Sequence, residues 1–292
     1  MTDFDDTLSV EGRDRTYGVH VPNAVPSPAP LLIAFHGRGQ SGRTFRETTA
    51  FDALSDRNGF VVVYPDGYLG SWNDGLGNSP AEQSGIDDVS FVDALVERVC
   101  KQTGCRTDSV GIAGFSSGGV LCHRLALQMS DRVAAIAAVA GPMPALFASV
   151  TPSHAVSALL IRGTADRVAP FDAAPWKGPR GAMIRRILGP TGRVLSAKET
   201  FARWCAIDGC DEISNSQTIP ATWRDRTSVK RICANGHGGT TVETWIVHGG
   251  GHTWPGGPRR ISLGRTTSHF GASEVIWEFV RDHLIPAARR QL

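Results

Sequence analysis

The sequence predicts a doubly wound α/β sheet, and three observations carry that prediction. Short runs are apolar on both faces, as in strands covered by helices on either side. Segments with apolar residues spaced three and four apart lie between those runs. Glycine-rich punctuation falls at the carboxyl end of nearly every run, where open α/β sheets place their active groups.

Taken in order, Leu8 to Val21 alternates around Glu11-Gly12 and predicts an N-terminal hairpin. Leu31 to Phe35 is the first continuous apolar run and ends in His36-Gly37. Phe60 to Tyr64 ends in Pro65-Asp66-Gly67, and Ser109 to Ala113 ends in Gly114. Ala134 to Ala140, Ala158 to Ile161 and Val242 to Val247 complete the set, ending in Gly141-Pro142, Arg162-Gly163 and His248-Gly249. Helical periodicity covers Thr44 to Arg57, Val89 to Val99, Ser117 to Met129, Ala197 to Ala206 and Ser273 to His283. Two stretches, 142–156 and 171–194, fit neither period and read as excursions over the carboxyl edge of the sheet, where a lid would sit. With no repeat or low-complexity linker, one catalytic domain over 1–292 is expected.

Composition removes several function classes. At 41% apolar and 20% charged, the 292 residues have the make-up of a folded chain, not a disordered one. Lys+Arg 30 against Asp+Glu 28 gives a charge of +2, and the arginines form no single basic block, so no nucleic-acid partner is expected. No run reaches the ~18 apolar residues of a membrane helix. The opening Met-Thr-Asp-Phe-Asp-Asp is acidic and lacks the basic and apolar regions of a secretion signal; the cytoplasm fits, as does export after removal of a signal. Six cysteines include the close pairs Cys100/Cys105 and Cys205/Cys210. Neither has the spacing or histidine partners of a zinc site, so no metal is expected.

Gly114-Phe115-Ser116-Ser117-Gly118 matches G-x-S-x-G. The bare pattern is weak, but it follows an apolar strand and opens a helix, the context in which the turn lifts a serine above the sheet. The alternative is a glycine turn with a capping serine. A serine nucleophile needs a base, and the base an orienting acid, in the chain order nucleophile, acid, base for this kind of turn. Asp166 stands just beyond the run ending at Arg162-Gly163, with Asp172 as the nearby competitor. His252, in Gly249-Gly250-Gly251-His252, follows the last run. His248 ends that strand and reads as a surface histidine. His237 and His269 lie in polar loops, and His36 is expected to brace its loop. Oxyanion donors would be the backbone N–H of Ser117 and, from the H-G-x loop after the first run, that of Arg38.

Several pieces, in order, give a more specific likeness: Val21-Pro22, Phe35-His36-Gly37, Tyr64-Pro65-Asp66-Gly67, Ser71-Trp72-Asn73, Asp87-Asp88-Val89-Ser90-Phe91, 114–119, 163–170, 204–210 and Gly251-His252-Thr253-Trp254-Pro255-Gly256. Together they span nearly the whole chain. They resemble the esterase family that contains polyhydroxybutyrate depolymerases and feruloyl and acetylxylan esterases. The resemblance implies an α/β-hydrolase fold, a Ser116, Asp166, His252 triad, no cofactor, and a Cys210–Cys233 disulfide. It implies a serine ester hydrolase for short-acyl, hydroxyalkanoate-oligomer or feruloyl-type esters. Polymer depolymerisation, and acyl transfer or peptide hydrolysis on the same triad, are the alternatives, and a non-catalytic binding protein on this fold is a further one. Trp72, Trp176 and Trp254 would either line an acyl pocket or pack in core or lid. Ser117 departs from the family, which often has Asn there. The secretion signal, the Thr- or Ser-rich linker and the polymer-binding module of extracellular depolymerases find no match, which makes a soluble substrate the expectation.

Overall fold

The computed structural model describes residues 2–174, 192–210 and 213–284. Among these described residues ten strands form one sheet: β1 (Thr2–Val10), β2 (Arg13–Val21), β3 (Ala29–Phe35), β4 (Val61–Pro65), β5 (Cys105–Phe115), β6 (Val133–Val139), β7 (Ser157–Gly163), β8 (Ile213–Ile219), β9 (Ser228–Asn235) and β10 (Thr241–His248). Their spatial order is β1-β2-β4-β3-β5-β6-β7-β10-β9-β8. The six strands from β4 to β10 run parallel, and an antiparallel pair closes each edge. The central strands are the apolar runs of the sequence. The flanking β1–β2 hairpin turns through Glu11 and Gly12, both at positive φ, which suits the right-handed twist of a two-residue hairpin.

Helices cover both faces. On one side α4 (Asp88–Thr103), α5 (Ser117–Gln128) and α6 (Ala197–Asp208) bury Phe91, Leu95, Leu121, Leu125 and Trp204 against the sheet. On the other, α1 (Gly42–Thr48), α2 (Phe51–Asn58) and α7 (Ala272–Leu284) bury Phe45, Phe51, Ile276, Trp277 and Val280. A short α3 (Pro80–Gln83) adds one turn. The single helix expected over 44–57 is two. Thr49, extended at ψ 157, caps the first through its N–H to Phe45 O, and the break lets Phe45 and Phe51 both meet the Trp254 indole edge-on.

The β8–β9 pair was not expected from the sequence. Every residue of β8 is exposed, so no apolar alternation marks it. The excursion 142–156 runs beside the far end of the second one: Ala145 N–H donates to Arg193 O (2.8 Å) and Leu195 N–H to Met143 O (2.8 Å). Most of 171–194, including Trp176, lies outside the described residues.

Candidate functional site

Three strand ends deliver the three residues that the sequence singled out. Ser116 follows β5 in a backbone conformation few non-glycine residues adopt, φ 55 and ψ −119. The close packing of the turn explains its flanking glycines. A Cβ on Gly114 would collide with the carbonyl of Gly118, and a Cβ on Gly118 with the carbonyl of Phe35. Ser116 N–H donates to Val139 O of the neighbouring strand (2.9 Å), which ties the turn to the sheet.

Asp166 follows β7 and is buried at 5% exposure. Its Oδ1 accepts the N–H groups of Val168 and Ala169, both at 2.8 Å. That leaves Oδ2 for His252, whose Nδ1 lies 2.7 Å away. The other imidazole nitrogen, Nε2, is 2.9 Å from Ser116 Oγ. His252 itself is 4% exposed and held by its own N–H on Leu263 O (2.8 Å), while Gly251 N–H donates to Arg265 O. Aspartate, histidine and serine thus form a continuous hydrogen-bonded line. The competitor Asp172 is exposed and stands outside it.

Beneath the acid loop lies Arg162, a residue that sequence reading treated only as a strand end. It is 2% exposed, and its Nη2 donates to the carbonyls of Ala169 and Pro170 at 3.0 and 3.1 Å. Burial depresses its pKa, and the nearby Asp166 charge works against that shift. The same loop therefore clamps Asp166 with its amides and Arg162 with its carbonyls.

His36 does brace its loop: Nε2 accepts Gly67 N–H (2.9 Å) and Nδ1 is 2.8 Å from Gly37 O. His248 is exposed at the end of β10. Asp87 caps α4 through Val89 and Ser90 N–H, while the fully buried Asp88 joins Arg15 (2.8 Å) to Asn73 N–H (2.6 Å). That acidic motif is scaffolding for the loop after Trp72.

A cavity of about 830 Å³ opens over Ser116. Arg38 and Ser117 line it beside the serine, and Gly37 passes so close that a Cβ there would sit 3.4 Å from Ser116 Cβ. Ser117 Oγ is buried without a hydrogen-bond partner among the described residues. Apolar wall comes from Leu76, Phe115, Val120, Pro142, Val168 and Val194.

Neither Trp72 nor Trp254 lines that cavity, which corrects the substrate-binding expectation. Trp72 is fully buried, its Nε1 donating to His36 O at 2.8 Å. Trp254 packs among Phe45, Phe51 and Phe115 and donates to Ser273 Oγ at 3.1 Å. Both are core residues that support the site from below. Asp74, which the sequence reading passed over, does line the cavity. It is 2% exposed, and burial pushes its carboxyl up to about 7.

The Cys210–Cys233 disulfide is also corrected: no disulfide joins cysteines among the described residues. The left-handed Gly209 ends α6 and turns the chain back, so that Cys210 N–H donates to Cys205 O (2.9 Å) and the two thiols meet. Cys233 sits on β9 instead, in register with Asn215 and Glu243. Among the described residues no three His, Cys, Asp or Glu side chains are grouped to hold a metal ion, and no helix is long and apolar enough to cross a membrane.

The family model described as Esterase PHB depolymerase matches residues 16–180. NocK of Nocardia uniformis subsp. tsuyamanensis, a protein carrying a provisional esterase name, is 32% identical over 281 residues, 93% of this chain and 80% of its own. Feruloyl esterase B of Piromyces equi is 25% identical across 88% of this chain but only 43% of its own length. The bifunctional acetylxylan esterase/xylanase XynS20E of Neocallimastix patriciarum is 30% identical over 54% of this chain, and this match spans 22% of that enzyme. Among solved structures, an acetyl xylan esterase from Aspergillus awamori shares the α/β-hydrolase fold, with a TM-score of 0.63 over 96% of this chain and 99% of that one at 15% identity. With the family model covering more than half the chain and NocK matched along most of its length, the protein is a carboxylic-ester hydrolase that belongs to the Esterase PHB depolymerase family.

Proposed function

We propose that the protein cleaves esters by a serine mechanism with an acyl-enzyme intermediate, Ser116 being the nucleophile, His252 the base and Asp166 the orienting acid. The observation that carries this reading is the hydrogen-bonded line from Asp166 Oδ2 to His252 Nδ1 (2.7 Å) and from His252 Nε2 to Ser116 Oγ (2.9 Å). Asp166 keeps the proton on Nδ1, so Nε2 is free to take the serine proton as Oγ attacks the ester carbonyl. The oxyanion that forms is held by the Ser117 and Arg38 N–H groups. The first N–H groups of a helix have no intrahelical acceptor, and Ser117 opens the twelve-residue α5 with its positive dipole end at Ser116. His252 then gives the proton to the departing alcohol. Water attacks the acyl-enzyme by the same path, losing its proton to His252 and returning Ser116 to its hydroxyl.

The substrates we assign are soluble esters of small acyl groups, hydroxyalkanoate oligomers or feruloyl-type acids. A concave pocket of about 830 Å³ encloses a molecule of that size and falls in the ordinary range for small-ligand sites. A crystalline polyester surface would reach the recessed serine poorly.

Ser116→Ala should lower kcat on p-nitrophenyl butyrate by about 10⁶ with an unchanged melting curve, as loss of the nucleophile does where three such groups act as a unit. A fluorophosphonate should label the wild type once, at Ser116. Labelling elsewhere, or an active Ser116→Ala, would dismiss the mechanism. Rapid erosion of a polyhydroxybutyrate film with negligible turnover of short esters would dismiss the substrate class.

A further inference from the structure

We propose, resting on the esterase reading above, that the pocket selects esters that carry a carboxylate a few bonds from the scissile carbonyl, held by Arg38, Arg193 and Arg260. These three guanidinium side chains line the same cavity as Ser116. Among the described residues of the lining, the one carboxylate is Asp74.

The surplus is local. The whole chain carries only +2, and much of its arginine is spent on acids: Arg15 on Asp88, Arg46 on Asp3 and Asp52, Arg132 on Asp93 and Glu97, Arg231 on Glu243. Arg193 and Arg260 are exposed and make no direct ion pair among the described residues, although Glu199 lies near enough to feel the charge of Arg193. Their backbones are nonetheless fixed, since Arg193 O accepts Ala145 N–H (2.8 Å) and Arg260 O accepts Leu263 N–H (2.9 Å). Arg38 is held in the wall, its Nη2 donating to Asn78 O at 2.9 Å. Asp74 offsets the set only in part. It is buried against Leu76 N–H, and desolvation, with Glu82 and Asp88 adding their charge and Arg38 opposing it, raises its carboxyl to about 7. Near neutral pH it is only partly charged.

A guanidinium recognises a carboxylate through paired N–H donors, and arginines on fixed backbone around an apolar-walled cavity favour an anionic ligand over its neutral isostere. Leu76, Val120 and Val194 give the intervening chain an apolar wall. An ester made of hydroxy acids with a free terminal carboxylate has both features, as does a dicarboxylic acid esterified at one end.

Two acid–amide pairs test this and locate the carboxylate. Mono-p-nitrophenyl adipate beside its terminal amide places it on the acyl side; the linear dimer of 3-hydroxybutyrate beside its terminal amide places it on the alcohol side. In at least one pair we expect the acid to bind Ser116→Ala about tenfold more tightly by calorimetry, and to show a similar advantage in wild-type kcat/KM. Raising salt from about 50 mM to about 500 mM should shrink that advantage, because rim charges are screened. In the Arg193→Gln/Arg260→Gln double variant the acid-to-amide ratio should fall toward one. Equal binding of acid and amide in both pairs, or a ratio untouched by the double variant, would overturn the proposal. Calorimetry on the Ser116→Ala protein reads binding alone, so absent turnover of p-nitrophenyl butyrate by the wild type would count against the mechanism, whatever the ratio.

Discussion

Replacing Asp166 by asparagine changes one atom, and the hydrogen bonds around it fix the consequence. The carboxylate accepts three N–H groups: Val168 and Ala169 on Oδ1, His252 on Oδ2. An amide has only one acceptor. If its oxygen stays with the two backbone donors, its NH₂ faces His252 Nδ1. The imidazole must then accept at Nδ1 and carry its proton on Nε2, where it meets Ser116 and takes nothing from it. If the amide flips, two buried backbone N–H groups lose their acceptor at about 1–3 kcal/mol each, so the first arrangement wins by about 2–6 kcal/mol. The wrong tautomer lowers kcat about 10⁴-fold in a serine protease with the same three groups, which at 1.36 kcal/mol per factor of ten is about 5 kcal/mol. Asp166→Asn should show a loss of that order in kcat on p-nitrophenyl butyrate while remaining folded by circular dichroism. Asp172→Asn, at an exposed position, should be near wild type. An Asp166→Asn enzyme within tenfold of wild type, or a crippled Asp172→Asn, would show that the acid is elsewhere.

Three further outcomes follow from other parts of the chain. Arg162→Met removes both bonds to the acid-loop carbonyls, and a loosened Asp166 should cost tenfold to a hundredfold in kcat with KM nearly unchanged; steady-state kinetics that show only a KM effect would deny Arg162 a positioning role. Asp208 is buried with no hydrogen-bond partner for its carboxylate among the described residues, and this desolvation, only partly opposed by the Val156 N–H, raises its pKa from 3.8 to about 8. The folded state therefore holds the proton that the unfolded chain gives up near pH 4, and the stability present below that pH drains away as pH rises toward 8. Asp208→Asn should flatten the fall in melting temperature between pH 5 and pH 9, and parallel curves would refute the assignment. Under mild oxidation, non-reducing mass mapping should find Cys205–Cys210 and Cys100–Cys105 bridges before any involving Cys233, with Cys122 unmodified; a dominant Cys210–Cys233 bridge would restore the family expectation.

What the sequence made legible was what local rules control. Ser116, Asp166 and His252 each stand just past a run that is apolar on both faces, and such runs become central parallel strands because burial on two sides admits little else. The glycines of the turn at Ser116 are demanded by backbone contacts a few residues away, so the pattern survives without knowledge of the tertiary fold. The tryptophans were not legible in that way. An indole near the site lines a pocket or a core according to which side of the loop it leaves. Trp254 leaves toward Phe45 and Phe51, whose positions depend on a helix break at Thr49 that apolar spacing does not mark.

Arg162 and Asp74 were hidden for the opposite reason. In sequence, an arginine at a strand end or an aspartate in a loop reads as a solvated residue, and only the folded chain makes it otherwise. Arg162 becomes interior because the segment 166–170 lies back over it and offers two carbonyls. Asp74 becomes a cavity residue because its loop is drawn in by Asp88, which grips Asn73 N–H, and by Ser79, whose hydroxyl donates to Trp72 O. The conspicuous motif residues Asp88 and Trp72 thus act indirectly, by placing inconspicuous neighbours. Ser116, Asp166 and His252 sit where strand ends put them whatever the surrounding loops do, so their places can be read from short motifs. The charges that line the cavity depend on how several loops pack together. Two chains that share every motif here can therefore differ in whether Arg193, Arg260 and Asp74 line the cavity, and on the selectivity proposed above the preference between anionic and neutral esters would change while Ser116, Asp166 and His252 stay in place.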